Sequence, residues 1–180
     1  MSSPPEFRAV YEAYFDFVWR SLRRLGVREA DTMDLTQRVF LTVHLRLADF
    51  EGRSLLRTWL FGICQRMASD YRRSASVRRE IVTETAELDS QRADEDGPLT
   101  IAESRQRAIR AESILSKLPE PQRVVFVLFE LEDMSGDDIA ALLDISVGTV
   151  RSRLRLARET FRREVKRLAA IESAGRREAV

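Results

Sequence analysis

A stripe of arginines near the C-terminal end is the feature of this sequence best suited to chemistry. Wound as a helix at about 100° per residue, the segment 147–168 has one apolar face that is expected to pack inward, formed by Val150, Leu154, Ala157, Phe161 and Val165. Four arginines lie beside this face: Arg151, Arg155, Arg158 and Arg162. Guanidinium groups bind phosphates and guanine edges, and the amides of a helix N-terminus add to anion binding. Thr149 and Ser152 occupy the exposed N-terminal end of this helix. The pattern predicts contact with a polyanion.

The residues before this helix predict how it is positioned. The run Ser135 to Asp138 is a capping signature ahead of a short apolar helix. A tight turn at 144–146 follows, and Ser146 can cap the arginine-bearing helix. Two helices joined in this way form a helix-turn-helix, whose second helix reaches base edges in the major groove. A basic stripe can also be only the solvated face of a helix, but its coincidence with the turn favours DNA binding.

The charge of the chain is unevenly distributed. The 180 residues are 44% apolar and 33% charged, with a net charge of +1. Residues 146–180 carry 10 basic and 4 acidic side chains, whereas residues 113–145 carry 2 basic and 7 acidic ones. Such segregation predicts polyanion binding at one site and a different partner elsewhere.

Several classes of protein are disfavoured by what the sequence offers. Cys64 is the only cysteine and His44 the only histidine, so neither a disulfide framework nor a zinc site is predicted. Asp133, Asp137 and Asp138 suit helix capping better than a metal site. We find no phosphate-binding glycine loop and no nucleophile elbow, so we predict neither an enzyme nor a cofactor. An apolar run of about 18 residues is also absent, so no membrane insertion is expected, and we expect an intracellular protein.

Apolar periodicity predicts an all-α protein. Helices are expected over 5–25, from after Asp31 to Leu47, from about Ser54 into the arginines at 72–79, and over 101–118. The apolar run 124–131 follows two prolines and is interpreted as a helix, as are 136–143 and 147–170. Residues 82–99 are acidic and lack periodicity. The fold class is therefore two small helical domains joined by a flexible acidic linker.

Two parts of the chain resemble one known family. The segments DLTQRVFLTVHLRL and LRTWLFGICQRMASDYRR resemble region 2 of the bacterial sigma-70 family. The segment LPEPQRVVFVLFELEDMSGDDIAALLDISVGTVRSRLRLARETFR resembles its region 4. The direct passage between them is similar to the extracytoplasmic-function (ECF) group. The resemblance implies region 2 over 1–80, a linker over 81–100, region 4 over 101–170 and a tail over 171–180.

The resemblance also implies partners and site residues. In the family, the DLTQRVF helix docks on the clamp helices of the largest polymerase subunit. The matching positions here are Asp34, Leu35, Gln37, Phe40 and Leu41. One of the pair Phe40 and Leu41 is expected to belong to the core instead.

Promoter contacts are implied for both regions. The family reads the minus-ten element with the loop matching 49–55 and the helix after it. The matching side chains here are Arg53, Arg57, Trp59, Arg66, Arg72 and Arg73. Trp59 is also a candidate core anchor, and Arg66 stands where relatives commonly carry Asn. The minus-thirty-five contacts match Thr149, Arg151, Ser152, Arg155 and Arg158, and Leu156 departs from the Arg of many relatives.

The resemblance thus implies an ECF-type sigma factor of the bacterial cytoplasm that directs transcription initiation. Its implied partners are the RNA polymerase core, through its largest and second-largest subunits, promoter DNA and an anti-sigma factor. One alternative is a helix-turn-helix regulator that binds DNA without being a polymerase subunit. Another is a helical adaptor with an incidental basic helix.

Overall fold

The computed structural model of the chain describes residues 6–52, 54–81 and 99–178, with side chains described up to Ser74 and again from Gln106 to Ile171 and at Ser173. Within these ranges the regular structure is entirely helical, which confirms the all-α prediction. The helices form two units, one on each side of the gap at 82–98. The predicted linker falls almost wholly within that gap and so lies outside the described residues.

The first unit contains three helices: α1 (Phe7–Arg24), α2 (Glu29–Arg46) and α3 (Leu56–Ile81), with a short 3-10 turn at Leu47–Asp49. Apolar residues three or four apart bury one face of each helix, including Val18, Val39 and Leu60. Gly26 ends α1 in a left-handed conformation with φ +92°. The amides of Gly26 and Val27 donate to the carbonyls of Arg23 and Leu22, as in a Schellman motif.

The second unit contains α4 (Leu99–Ser116), α5 (Glu120–Phe126), α6 (Gly136–Leu143) and α7 (Val147–Glu178). A π-helical turn, Val127–Leu131, continues α5, so the apolar run after the prolines is helical as predicted. Val150, Leu154 and Ala157 of α7 are buried, and Phe161 stacks on Phe126 at 4.9 Å between ring centroids. The predicted inner face of α7 is confirmed for these four residues.

Three details differ from the sequence prediction. α2 begins at Glu29, before Asp31, because Asp31 pairs with Arg28 and Tyr71 instead of capping the helix. α7 continues to Glu178, beyond the predicted end near Ala170. Val165, predicted to lie on the inner face, is exposed, because at this level of α7 the partly buried residues are Phe161, Glu164 and Leu168.

The two units also pack against each other. Their buried apolar side chains form one continuous cluster. α3 approaches α6 at Gly62, where an added Cβ would lie 3.5 Å from Cδ1 of Leu142. Arg123 of α5 is buried and donates to the carbonyl of Leu25 at 3.1 Å. Because α1 ends at this carbonyl, the cation also faces the negative end of the helix dipole.

Candidate nucleic-acid and protein interfaces

The outer face of α2 carries the exposed members of the predicted polymerase site. Asp34, Gln37 and Leu41 are exposed and follow each other at steps of three and four, so they share one helix face. Leu35 and Phe40 lie on the opposite side and are each 3% exposed. Phe40 packs in a cluster with Tyr11 and Phe15 of α1. The structure therefore brings three of the five predicted residues to the surface and places the other two in the core.

Leu45 extends this face by one turn, so that the α2 face consists of Asp34, Gln37, Leu41 and Leu45. Sequence reasoning missed Leu45. It is 78% exposed and Leu41 64%, although apolar side chains of this size usually favour burial. Exposed leucines on one helix face are typical of a protein-binding surface. The signal was present in the sequence, because Leu45 follows Leu41 by four residues.

A hydrogen-bonded triad fixes α2 against α3. The hydroxyl of Tyr71 donates to Oδ2 of Asp31 at 2.6 Å, and Nε of Arg28 donates to the same hydroxyl at 2.9 Å. Burial and, secondarily, the bond to Asp31 raise the pKa of Tyr71. The second half of α3 is thereby held at a fixed position relative to the α2 face.

Two of the predicted minus-ten arginines are engaged by the second unit. Nη2 of Arg57 donates to Oε2 of Glu132 at 2.5 Å. Arg72 pairs with Glu120 and donates to the carbonyl of Leu25. Burial lowers the pKa of Arg72, and Glu120 opposes this shift. In this arrangement the guanidinium of each arginine is already paired with a glutamate of the second unit.

The other predicted minus-ten residues are arranged differently. Trp59 is half-buried against the core, with its ring centroid 5.4 Å from that of Phe50. Arg66 is exposed on α3, and Arg73 is exposed with its guanidinium paired to Asp70. Arg53 lies outside the described residues.

The helix-turn-helix is built as its capping residues predict. The amide of Asp138 donates to Oγ of Ser135 at 3.1 Å, which caps α6. Asp144 adopts a left-handed conformation with φ 52° and ends that helix. The amide of Thr149 donates to Oγ of Ser146 at 3.0 Å, which caps α7. These bonds fix the angle between the two helices at the turn.

The predicted minus-thirty-five side chains lie along the first turns of α7. Arg151 and Ser152 are exposed, and the hydroxyl of Thr149 is within 2.8 Å of Ser146 Oγ. Nη1 of Arg155 donates to Glu159 at 2.7 Å. Because both partners are exposed, this pair contributes only about 0.3–0.5 kcal/mol, and Arg155 can exchange it for another acceptor.

Arg158 is the most constrained member of this set. Its Nε donates to Glu130 at 2.6 Å, and its guanidinium lies over Phe129 at 5.3 Å from the ring centroid. Both partners belong to the π-helical turn, so Arg158 holds α7 against the rest of the second unit.

In the described ranges we find neither a metal site, nor an exposed thiol, nor a membrane-spanning helix. Within them, no three His, Cys, Asp or Glu side chains gather as metal ligands would. Cys64 is buried, and burial raises the pKa of its thiol. No helix in the described part of the chain has the length and apolar character needed to cross a membrane.

Comparisons with known families agree with this geometry. A family model described as Sigma-70 region 2 matches residues 10–78. A second, described as Sigma-70, region 4, matches residues 108–161. The region 2 match includes all of α2, with its exposed face, and most of α1 and α3. The region 4 match includes the helix-turn-helix.

Relatives and solved structures extend the similarity over most of the chain. The ECF RNA polymerase sigma-E factor of Escherichia coli strain K12 is 30% identical over 149 residues, covering 79% of this chain and 78% of that protein. The sigma-E factor of Haemophilus influenzae is 31% identical over 148 residues, with the same coverage.

CnrH, solved in complex with the cytosolic domain of CnrY, is 25% identical with a TM-score of 0.63, covering 89% of this chain and 87% of that one. The sigma factor RpoE of Bartonella quintana, solved with the anti-sigma factor NepR, is 20% identical. It has a TM-score of 0.69 over 89% of this chain and 96% of that one, which supports the fold.

Proposed function

The chain belongs to the sigma-70 family and is an ECF sigma factor, and from this we propose that it binds RNA polymerase core through α2 and promoter DNA through α3 and α7. The observation that best supports this proposal is that one chain combines an exposed α2 face with a capped helix-turn-helix. The α2 face consists of Asp34, Gln37, Leu41 and Leu45. A DNA-binding regulator that never meets polymerase would not need that face. Catalysis stays with the polymerase, of which sigma factors are regulatory subunits.

Promoter recognition is proposed to be divided between the two units. Arg57, Arg66 and Arg73 of α3 supply guanidiniums for the strand opened at the minus-ten element, since such groups suit single-stranded bases and phosphates. Arg151, Ser152 and Arg155 of α7 read the minus-thirty-five element in the major groove. Arg158 is assigned to holding α7, because Glu130 and Phe129 already engage it.

An anti-sigma factor is proposed as the regulatory partner, and the bacterial cytoplasm as the place of action. The support is the similar fold of the Bartonella quintana factor, which was solved with NepR. The domain limits 1–80 and 101–170 are retained as a proposal, because α3 ends at Ile81 and α4 begins at Leu99, on either side of the acidic segment.

The test of this function is transcription from a promoter library. The purified chain is added to polymerase core with a library of randomised promoters, and the transcripts are sequenced. We expect the start sites to share two upstream sequence elements, whereas transcripts made by core alone should share no such elements. If the added chain makes transcripts neither more abundant nor more sequence-selective than core alone does, the proposal is contradicted.

A further prediction distinguishes the α7 arginine that recognises bases from one that binds only the DNA backbone. Arg155→Ala should relax sequence preference in the upstream element, because a bidentate base contact contributes about 1–3 kcal/mol of discrimination. Arg162→Ala, two turns further along the same exposed stripe, should weaken binding uniformly across sequences. The measurement is binding of the full chain with core polymerase to a randomised duplex library. Full preference in Arg155→Ala together with lost preference in Arg162→Ala would show that the helix docks by another face.

A further inference from the structure

Two arginines of the first unit converge on one carboxylate of the second. Nη1 of Arg24, from α1, donates to Oε1 of Glu132 at 2.8 Å, and Nη2 of Arg57, from α3, donates to Oε2 at 2.5 Å. Each oxygen thus has its own guanidinium. The Glu132 side chain is 3% exposed, whereas that of Arg57 is 53% exposed. The carboxylate is therefore enclosed while the arginines remain partly open to solvent.

The arginines are positioned by the first unit itself. The guanidinium of Arg57 lies over the ring of Phe17, 4.7 Å from its centroid, and Phe17 belongs to α1, as Arg24 does. These groups would stay together if Glu132 moved away. A pair of guanidiniums that accommodates two carboxylate oxygens also accommodates two non-bridging oxygens of a phosphodiester.

Glu132 is presented by the backbone turn that follows the π-helix. Its amide donates to the carbonyl of Val127 at 3.1 Å, and that of Met134 donates to Leu128 at 3.0 Å. Between them, Asp133 has a positive φ of 53°. The turn fixes the carboxylate at the surface that meets the first unit.

Other ion pairs across the same boundary have the same polarity. Arg23 pairs with Glu112 at 2.7 Å, and Arg72 pairs with Glu120. In each of these contacts the first unit contributes the arginine and the second unit the glutamate. The second unit therefore meets a cationic surface of the kind that a nucleic-acid backbone would also meet.

We propose that Arg24 and Arg57, with Phe17 beneath Arg57, form a phosphate clamp for the single strand of opened promoter DNA, and that Glu132 occupies this clamp in the free protein. The proposal rests on the proposed function, in which Arg57 contacts that strand, and it adds Arg24 and the competing carboxylate. DNA and the packed arrangement of the two units then exclude each other at this site. The affinity of the free chain for a single strand is reduced by the fraction of molecules in which Glu132 is bound.

The test compares two neutral, isosteric variants of the full chain. Glu132→Gln removes the competing charge, and Glu130→Gln removes the same charge two residues earlier, where Glu130 pairs with Arg158 of the second unit. The probe is a fluorescent oligothymidylate, measured by anisotropy without polymerase. We expect Glu132→Gln to bind about tenfold more tightly than Glu130→Gln, because the clamp is no longer masked. Equal affinities would overturn the proposal. Glu132→Ala, with the same expectation, serves if the glutamine variant does not fold.

A second comparison tests the clamp itself. In the Glu132→Gln background, Arg24→Gln should remove most of the gained affinity, whereas Arg8→Gln should not, since exposed Arg8 pairs with Glu12 at the opposite end of α1. An unchanged affinity in the Arg24 variant would overturn the clamp. Because the probe needs neither promoter sequence nor polymerase, a wild-type chain that fails to direct transcription would count against the proposed function alone.

Discussion

Replacing Phe40 by alanine should lower the free energy of unfolding by about 3–5 kcal/mol, while the same change at Leu41 should alter it by less than about 0.5 kcal/mol. Phe40 is 3% exposed and lies 4.7 Å from Tyr11 between ring centroids, so its truncation leaves a cavity in the first unit. Leu41 is 64% exposed and leaves none. Urea unfolding followed by circular dichroism measures both values.

Polymerase binding should respond in the opposite sense. Leu41→Ala keeps the fold but removes an apolar side chain from the centre of the proposed α2 face, so core affinity should fall about tenfold or more, as for a central interface residue. Arg46→Ala, an exposed change at the end of the same helix, is a control for alterations of α2 in general. A stable Leu41 variant with wild-type core affinity would contradict the assignment of this face.

The contrast between Phe40 and Leu41 also shows what a sequence can predict. Periodicity found the helices and the inner residues of α7, because a spacing of three or four residues is a local property. It could not assign two adjacent apolar residues at the edge of a helix face. That choice depends on the aromatic side chains of α1 that pack against α2, which the local pattern does not contain.

The contacts between the two units were beyond sequence reasoning for a related reason. Glu132 lies in the acidic stretch 113–145, and nothing local links it to Arg24 or Arg57, which are 108 and 75 residues away. The same holds for Arg123, which is buried although arginine is usually exposed. By contrast, the caps at Ser135 and Ser146 were predictable, because each joins residues three apart.

Arg123 joins the units through hydrogen bonds to backbone carbonyls. Besides Leu25, its guanidinium donates through Nη2 to Ser116 at 2.9 Å and to Leu118 at 2.8 Å. Burial first, and then the neighbouring charge of Arg72, lower its pKa to about 10. The group remains protonated at neutral pH, so it is a buried cation whose position depends on these three acceptors.

Gly26→Ala should therefore destabilise the protein by about 2 kcal/mol more than Gly52→Ala, because it costs at least one hydrogen bond to a charged group. Both glycines have positive φ, +92° and +69°, so both variants carry the strain of an alanine in that region, about 1–2 kcal/mol. They differ in their surroundings. A Cβ at Gly26 would overlap Nη1 of Arg123, whereas a Cβ at Gly52 would meet nothing within 4 Å.

A double-mutant cycle can show whether Arg123 causes the additional destabilisation expected for Gly26→Ala. In an Arg123→Met background the overlapping guanidinium is gone, so Gly26→Ala should cost only as much as Gly52→Ala does. Urea unfolding of the four combinations at Gly26 and Arg123, with the Gly52 variants alongside, gives the coupling energy. A Gly26 penalty that is unchanged by Arg123→Met would mean that backbone strain accounts for all of it, and that the guanidinium yields its place to a methyl group without losing its carbonyl partners.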